Sequence, residues 1–369
     1  MRFAFTLLVA LHGLIHLMGF AKAFGLAELE GLGQPVSRTA GVFWLLAFVL
    51  FSLTAVLHYL EVPSWYLAAL AGLVISQAVI AMAWTDARFG TIANVLILVG
   101  VVLGHAKASF QQQVQQERAE LLSQASTPSP QRITETDLQG LPPVVHQWLS
   151  RSGVVGKPAV STVWLRQELQ LKLKPGQDSW NPGRAEQVFT VDPPGFVWSI
   201  QTEMNAFLPV TGRDRFTGGK GEMHIALGSL IPVARATADP KVDQATLQRY
   251  LAEMVWFPSA ALSPYITWEP KGENAAMATL SYKGVSGSGT FYFDHQGSFE
   301  TFTALRYRDA SVSQPTPWTV LAKETQVRNG VEIPVRCEVQ WKTETGDWTW
   351  LQLHIEEIEY NSPGLSKPD

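Results

Sequence analysis

Four apolar runs follow one another within residues 1–107, and they leave the chain few solvents in which to fold. The first, 3–21, is apolar apart from Thr6, His12 and His16. The runs 39–60 and 64–84 hold no charged residue, and 89–106 is uncharged up to Lys107. A bilayer core about 30 Å thick takes roughly 20 apolar residues of helix, so each run is long enough to cross, the fourth only just. Buried helices of a soluble protein can be as apolar, but four in succession with short loops are a membrane pattern. Arg2 ahead of an apolar stretch also resembles a secretory signal. The stretch is longer than a typical signal core and no small-x-small cleavage site follows it, so it is expected to remain as a helix.

Within these runs Gly100 and Gly104, and Ala68 and Gly72, sit one turn apart, a spacing that lets helix backbones approach in lipid. Ionisable residues inside spans are functional suspects. His12 and His16 share a helix face and are the one pair that offers haem or metal ligation. The competing reading is hydrogen bonding between helices, and no Cys or carboxylate stands beside them to complete a metal site. His58 and His105 lie near span ends. Four crossings return the chain to the side on which it began. That side carries Arg2 and Lys107 and the other Lys22, Arg38 and Arg88, which places the C-terminal part outside a bacterial cytoplasmic membrane.

The first 107 residues take five of the 28 Lys/Arg and four of the 32 Asp/Glu, leaving 23 and 28 for the rest. Nothing is basic enough for nucleic acid. A single cysteine, Cys337, excludes an intrachain disulfide and a Cys-based zinc site. Residues 108–140 read as a linker, helical at first, broken by the Pro-rich stretch 126–130. A short helix begins at Pro142-Pro143 and stops at Gly153.

From there the hydrophobic period changes from 3.6 to 2. Val163, Leu165, Gln167, Leu169, Leu171 and Leu173 alternate with mostly polar neighbours, as in a half-buried strand. Further strands read at 186–192, 196–202, 205–210, 214–217, 222–227, 265–269, 275–283, 289–294, 299–308, 318–328, 331–341 and 348–360. Pro193-Pro194-Gly195, Gly218-Gly219, His295-Gln296-Gly297 and Asn329-Gly330 mark turns between them. One helix interrupts the meander. Asp243 reads as its N-cap. Leu247, Tyr250, Leu251, Met254 and Val255 form one apolar face. The expected fold is therefore a four-helix transmembrane bundle plus a mainly antiparallel β domain, a curled or open barrel or half-barrel with one covering helix. The expected division is 1–107, linker 108–140, β domain 141–361 and tail 362–369.

Several of these segments also carry a resemblance. Leu141-Pro142 with Trp148-Leu149, Pro193-Pro194-Gly195-Phe196-Val197-Trp198, Gly219-Lys220-Gly221-Glu222-Met223, Arg249-Tyr250-Leu251-Ala252-Glu253 with Trp256-Phe257-Pro258, and 285–307 ending in Arg306-Tyr307 resemble a family of bacterial domains of unknown function, often membrane-anchored. The resemblance covers about Gly140 to Tyr360 and implies no activity. In outline the strand pattern is similar to the open β-barrels of periplasmic lipoprotein carriers, an analogy of fold alone.

Recognisable catalytic motifs are missing. Gly284-Val285-Ser286-Gly287-Ser288 fails as a nucleophile elbow at its last position. There is no phosphate-binding loop, no dinucleotide fingerprint and no metal-spaced His or Cys set. Glu253 reads either as a desolvated carboxylate beside Trp256 or as an i,i+4 partner of Arg249. Asp294-His295 reads as a turn. Asp214 and His224 are the other titratable candidates, and Arg213 and Arg215 would form an ion-paired strand end or meet an anionic head group. The leading expectation is a binding module. A lipid or other hydrophobic molecule would lie between sheet and helix, against Leu247, Tyr250, Leu251, Met254, Trp256 and Glu253, with Arg213 and Arg215 at its polar end. An elongated apolar cavity lined by Leu247, Leu251 and Met254 would mark it. The alternatives are an envelope hydrolase using Glu253 or His224, and an accessory subunit docking another membrane protein. No cofactor is expected; the partners are membrane lipids, a hydrophobic ligand or a membrane protein. Alkaline carbonate washing of membranes is expected to leave the whole polypeptide in the pellet; its release into the supernatant would remove the membrane assignment.

Overall fold

The computed structural model describes residues 2–27, 29, 33–203 and 209–362. It divides into two compact units, Met1–Gln112 with Gly228–Leu230, and Gln113–Leu227 with Ile231–Asp369. In the first, α1 (Arg2–Ala23), α2 (Arg38–Tyr59), α3 (Trp65–Met82), the single turn α4 (Trp84–Ala87) and the start of α5 (Gly90–Ser123) follow the apolar runs. Four of these helices, α1, α2, α3 and α5, are long and apolar enough to cross a membrane. Ser37 caps α2 by accepting from the Ala40 amide at 3.2 Å.

Gly100 and Gly104 make room for aromatic rings, while Gly13 lets α1 approach the backbone of α2. A Cβ on Gly100 would sit 2.3 Å from the Phe5 ring, and one on Gly104 2.5 Å from Trp65. His12 and His16 are buried at 4% and 1% exposure, inside a chain of hydrogen bonds linking α1, α3 and α5. His12 Nε2 meets Asn94 Oδ1 at 2.8 Å, His16 Nε2 meets Ser76 Oγ at 2.9 Å, and His16 Nδ1 meets the His12 carbonyl at 2.8 Å. In lipid each unsatisfied polar group costs several kcal/mol, so such a chain fixes which helix faces meet.

The second unit holds α6 (Pro143–Ser152), closed by Gly153 in the left-handed conformation at φ 78°, and a single antiparallel sheet. Its strands are β1 (Thr162–Leu171), β2 (Asn181–Thr190), β3 (Gly195–Glu203), β4 (Pro209–Thr217), β5 (Lys220–Leu227), β6 (Ile231–Ala236), β7 (Ile266–Pro270), β8 (Ala275–Tyr282), β9 (Val285–Phe293), β10 (Phe299–Arg306), β11 (Thr316–Arg328), β12 (Val331–Thr343) and β13 (Gly346–Tyr360). The order is β6-β5-β4-β3-β2-β1-β13-β12-β11-β10-β9-β8-β7, so the sheet stays open between β6 and β7. Those two edge strands are consecutive in the chain. The segment joining them contains α7 (Pro240–Glu253) and, packed against β4, β5, β8, β9 and β10, crosses the inner face from one half of the sheet to the other.

Three expectations are corrected. α7 starts one turn earlier than Asp243: Asp239 is the N-cap, its carboxylate accepting from the Lys241 amide at 2.8 Å, with Pro240 in the first turn. Asp243 is instead buried, taking the Gly221 amide at 2.8 Å and Lys220 Nζ at 2.9 Å. β6 was not expected, because six residues with a mostly exposed side chain pattern give no alternation to read. Of the strand expected over 205–210, residues 205–208 lie outside the described residues, as do 363–369 of the expected tail.

The third correction concerns the expected hollow. Leu247, Leu251 and Met254 have 0% exposure, and Tyr250 and Trp256 only 1% and 3%. A side chain bordering a void large enough for water keeps accessible surface. These three keep none. Aromatic rings fill the space: the Phe257 ring lies tilted 4.8 Å from Phe189, and Tyr250 lies 6.0 Å from Phe189 and donates its hydroxyl to the Thr190 carbonyl at 2.9 Å. The outer face of β2–β5 is covered by residues of α5 from Gln113 on, where Arg118 donates to Glu186 at 2.7 Å and to Ser199 at 2.9 Å. With no void to absorb the change, Leu247→Ala is expected to destabilise the β unit by about 2–5 kcal/mol. Thermal unfolding of the detergent-purified chain, followed by near-ultraviolet circular dichroism, checks this. A silent substitution would mean the site is loosely packed.

Candidate functional site

The inner face of the sheet is apolar except for one cluster of charges, which α7 places against both halves. Strand alternation aims Asp214 inward and its neighbours Arg213 and Arg215 outward. On β2 the same alternation turns Gln187 inward between Ala185 and Phe189, with 0% exposure. Helical spacing puts Arg249 and Glu253 on one face of α7. Arg249 Nη1 donates to Asp214 at 2.6 Å and its Nε to Glu253 at 2.7 Å. Gln187 Nε2 donates to the other Glu253 oxygen at 2.8 Å. The Arg249 guanidinium lies over Trp198 and Phe196, 4.7 and 5.1 Å from the ring centroids, and Trp198 donates its indole N–H to Gln167 at 3.0 Å.

Arg306 enters from β10, in the other half of the sheet. Its Nε donates to the Ala245 carbonyl at 2.8 Å and its guanidinium stacks 4.7 Å from Trp318 and 5.7 Å from Trp341. Among the described residues no carboxylate forms an ion pair with it. Burial and the nearby Arg249 charge hold its pKa down, at about 10. Burial pushes the Asp214 and Glu253 carboxyls up, opposed chiefly by Arg249.

Arg306 borders a cleft of about 60 Å³, whose walls are Asp214, Glu222, Met223, Ala236, Lys241, Val242, Ala245, Thr246, Arg249, Tyr307, Arg308 and Asp309. Four of the lining residues are cationic and three anionic, leaving one net positive charge. Lys241 Nζ is engaged with the Ala310 and Val312 carbonyls at 3.3 and 2.7 Å, and Arg308 lies 3.8 Å from Asp309. Among the described residues the terminal nitrogens of Arg306 thus have no carboxylate ion pair and, unlike Lys241 Nζ, no carbonyl partner. The volume suits one charged group rather than a whole ligand, whose pocket is ordinarily several hundred Å³. A wider depression of about 720 Å³ has Arg132, Lys157, Tyr360 and Asn361 on its walls.

The residues singled out in the sequence do not form one site. Arg213 and Arg215 share Glu222 at 2.9 and 2.6 Å, and Arg213 lies 3.1 Å from Glu117, all on the outer face. His224 stands opposite Arg213 in the strand register and so shares that outer face, whereas Glu253 is on the inner side. The structure therefore does not bring Glu253 and His224 together. Asp294 accepts from the Gln296 and Ser298 amides at 2.8 Å each, closing its turn. No group of three or more His, Cys, Asp or Glu able to hold a metal occurs among the described residues.

Sequence reading missed Arg306, Gln187 and the pairing of Arg249 with Asp214. The signal was available for the first two. Both are polar residues at inward positions of strands whose other inward residues are apolar, Phe302 and Ala304 beside Arg306, Ala185 and Phe189 beside Gln187. The reach of Arg249 across to β4 leaves no mark in the sequence.

Replacing Arg249 by Met tests the cluster. It would leave two half-buried carboxylates without their cation, a loss of about 1.5–3 kcal/mol at neutral pH. Their folded pKa values would rise further above the unfolded values of about 4, so the native state would bind more protons than the unfolded one. Stability should then be greatest near pH 4 and fall as pH climbs towards 7. Thermal melts across that range check the sign; a variant that gains stability with pH would contradict it.

A family model matches residues 139–360, and its description is family of unknown function (DUF6920). The match agrees with the resemblance seen over Gly140 to Tyr360. No curated protein matches the chain. A solved LolA superfamily protein from Nitrosomonas europaea is similar at 6% identity and a TM-score of 0.29, over 54% of this chain and 86% of its own, a likeness too slight to bear on ligand or fold.

Proposed function

The chain belongs to the DUF6920 family, whose name carries no activity, and we propose from its own residues that it is a multi-pass protein of the bacterial cytoplasmic membrane whose extracytoplasmic β unit binds an acidic lipid. The observation that carries this reading is Arg306: a half-buried guanidinium, placed over tryptophan, at the edge of a cleft of net positive charge and with no carboxylate ion pair among the described residues. A partly desolvated cation is stabilised when an anion meets it. A phosphate or carboxylate head group supplies that anion with two charge-assisted hydrogen bonds, as guanidinium geometry favours. The four membrane-length helices keep the unit beside a surface where such molecules are concentrated.

The reading differs from a lipid buried whole between sheet and helix. The packed face of Leu247, Leu251 and Met254 leaves no room for an acyl chain there. The head group enters the cleft, and the chains stay outside the core. Tyr250, Trp256 and Glu253 then hold the walls, and Arg213 and Arg215 belong to the outer-face ion pairs.

Native mass spectrometry of the detergent-purified chain, after incubation with an equal mixture of phosphatidylglycerol and phosphatidylcholine, tests the proposal. The acidic lipid should be retained preferentially. Arg306→Gln should weaken its retention about tenfold or more, since hydrogen bonds to charged groups contribute about 1.5–3 kcal/mol. Arg336→Gln, changing an exposed arginine that does not line the cleft, should leave it nearly unchanged. Equal retention of the two lipids by the wild type would end the reading.

A further inference from the structure

The β5–β6 hairpin has a surface that the core does not use. Leu230, Ile231 and Val233 are 49%, 60% and 59% exposed, and Pro232 between them is exposed as well. Single exposed apolar residues are ordinary, and Leu305 or Val327 on other hairpins need no explanation. Four consecutive ones are different, since a run of that length facing water marks an interaction surface or a fault. Neighbouring Arg235 is exposed too. The pattern is an apolar tip followed by a cation, the order found where a protein meets lipid head groups.

We propose that this hairpin is a second membrane contact: Leu230, Ile231 and Val233 enter the interfacial layer of the bilayer. Two observations choose lipid over the other occupants. The same chain carries four helices long and apolar enough to cross a membrane, so a lipid surface is the apolar partner tied to it. Pro232 removes an amide donor from an edge strand, which is how sheets avoid being extended by another chain. A strand added by a second copy would meet that gap in the ladder. The contact is independent of the Arg306 cleft and needs no lipid bound there.

The test uses the full chain in nanodiscs. Cys337 is 2% exposed and so does not compete for label, which allows single cysteines at Ile231→Cys, Val233→Cys and, as a control, Val327→Cys. Each is labelled with an environment-sensitive fluorophore and quenched from water by iodide or from lipid by spin-labelled phosphatidylcholine. Positions 231 and 233 should be quenched from lipid at least several-fold more than 327, and 327 more by iodide. Iodide quenching at 231 and 233 equal to that at 327 overturns the proposal. So does protection from both quenchers, which would mean that protein covers the hairpin. Because the labelled variants keep Arg306, loss of lipid selectivity in the preceding experiment leaves this outcome unaffected.

Discussion

An antiparallel sheet of this width that does not close has an inner face too large to leave wet. Everything in the β unit follows from how that face is covered. The two edges, β6 and β7, are neighbours in the chain, so the segment between them must travel from one edge to the other. The short way lies across the inner face, and α7 takes it. Its apolar side, from Leu247 to Met254, meets rings from both halves of the sheet, and the helix turns an open curl into a single packed core. The same crossing brings Arg249 within reach of Asp214 on β4 and places the Ala245 carbonyl where Arg306 of β10 can donate to it.

Charge inside such a core is tolerated only when it is paired. Asp214 and Glu253 have Arg249, and Glu253 also has the Gln187 amide. On the outer face, Glu117 and Arg118 of α5 are answered by Arg213 and Glu186. Among the described residues Arg306 has tryptophan rings and one carbonyl but no carboxylate ion pair, and of these cations it borders a cleft in that state. The difference between Arg249 and Arg306 is the difference between a group that holds the fold and a group that is left for a ligand. The enzyme reading lacks an equivalent: its two candidate residues, Glu253 and His224, face opposite sides of the sheet.

In the membrane-length helices the polar side chains are satisfied by one another. His12, His16, Ser76 and Asn94 answer one another across three helices, as buried polar groups must where water is excluded. Both ring nitrogens of His16, and Nε2 of His12, are taken up in this way. Residues that suggested cofactor ligation by their type thus serve as contacts between helices. Gly100 and Gly104 admit aromatic rings for the same reason that interiors are close-packed everywhere: a gap forfeits dispersion contacts.

The sequence by itself determined the order of events along the chain. Four apolar runs of membrane length, the switch from period 3.6 to period 2 after Gly153, turn pairs such as Asn329-Gly330 and the apolar face of α7 are all local patterns. Each is written in consecutive residues because backbone geometry repeats over a few positions. Only the tertiary structure decided what the patterns enclose. Whether Leu247, Leu251 and Met254 line a hollow or fill it depends on the volumes of Phe189 and Phe196, which come from β2 and β3. Whether Arg306 is paired depends on where Asp214 and Glu253 fall, and those lie 92 and 53 positions away in the chain. Spacing fixes neighbours within a turn or across a hairpin. Packing volume and long-range charge pairing are settled between distant segments, and for that reason they could not be read before the chain was folded.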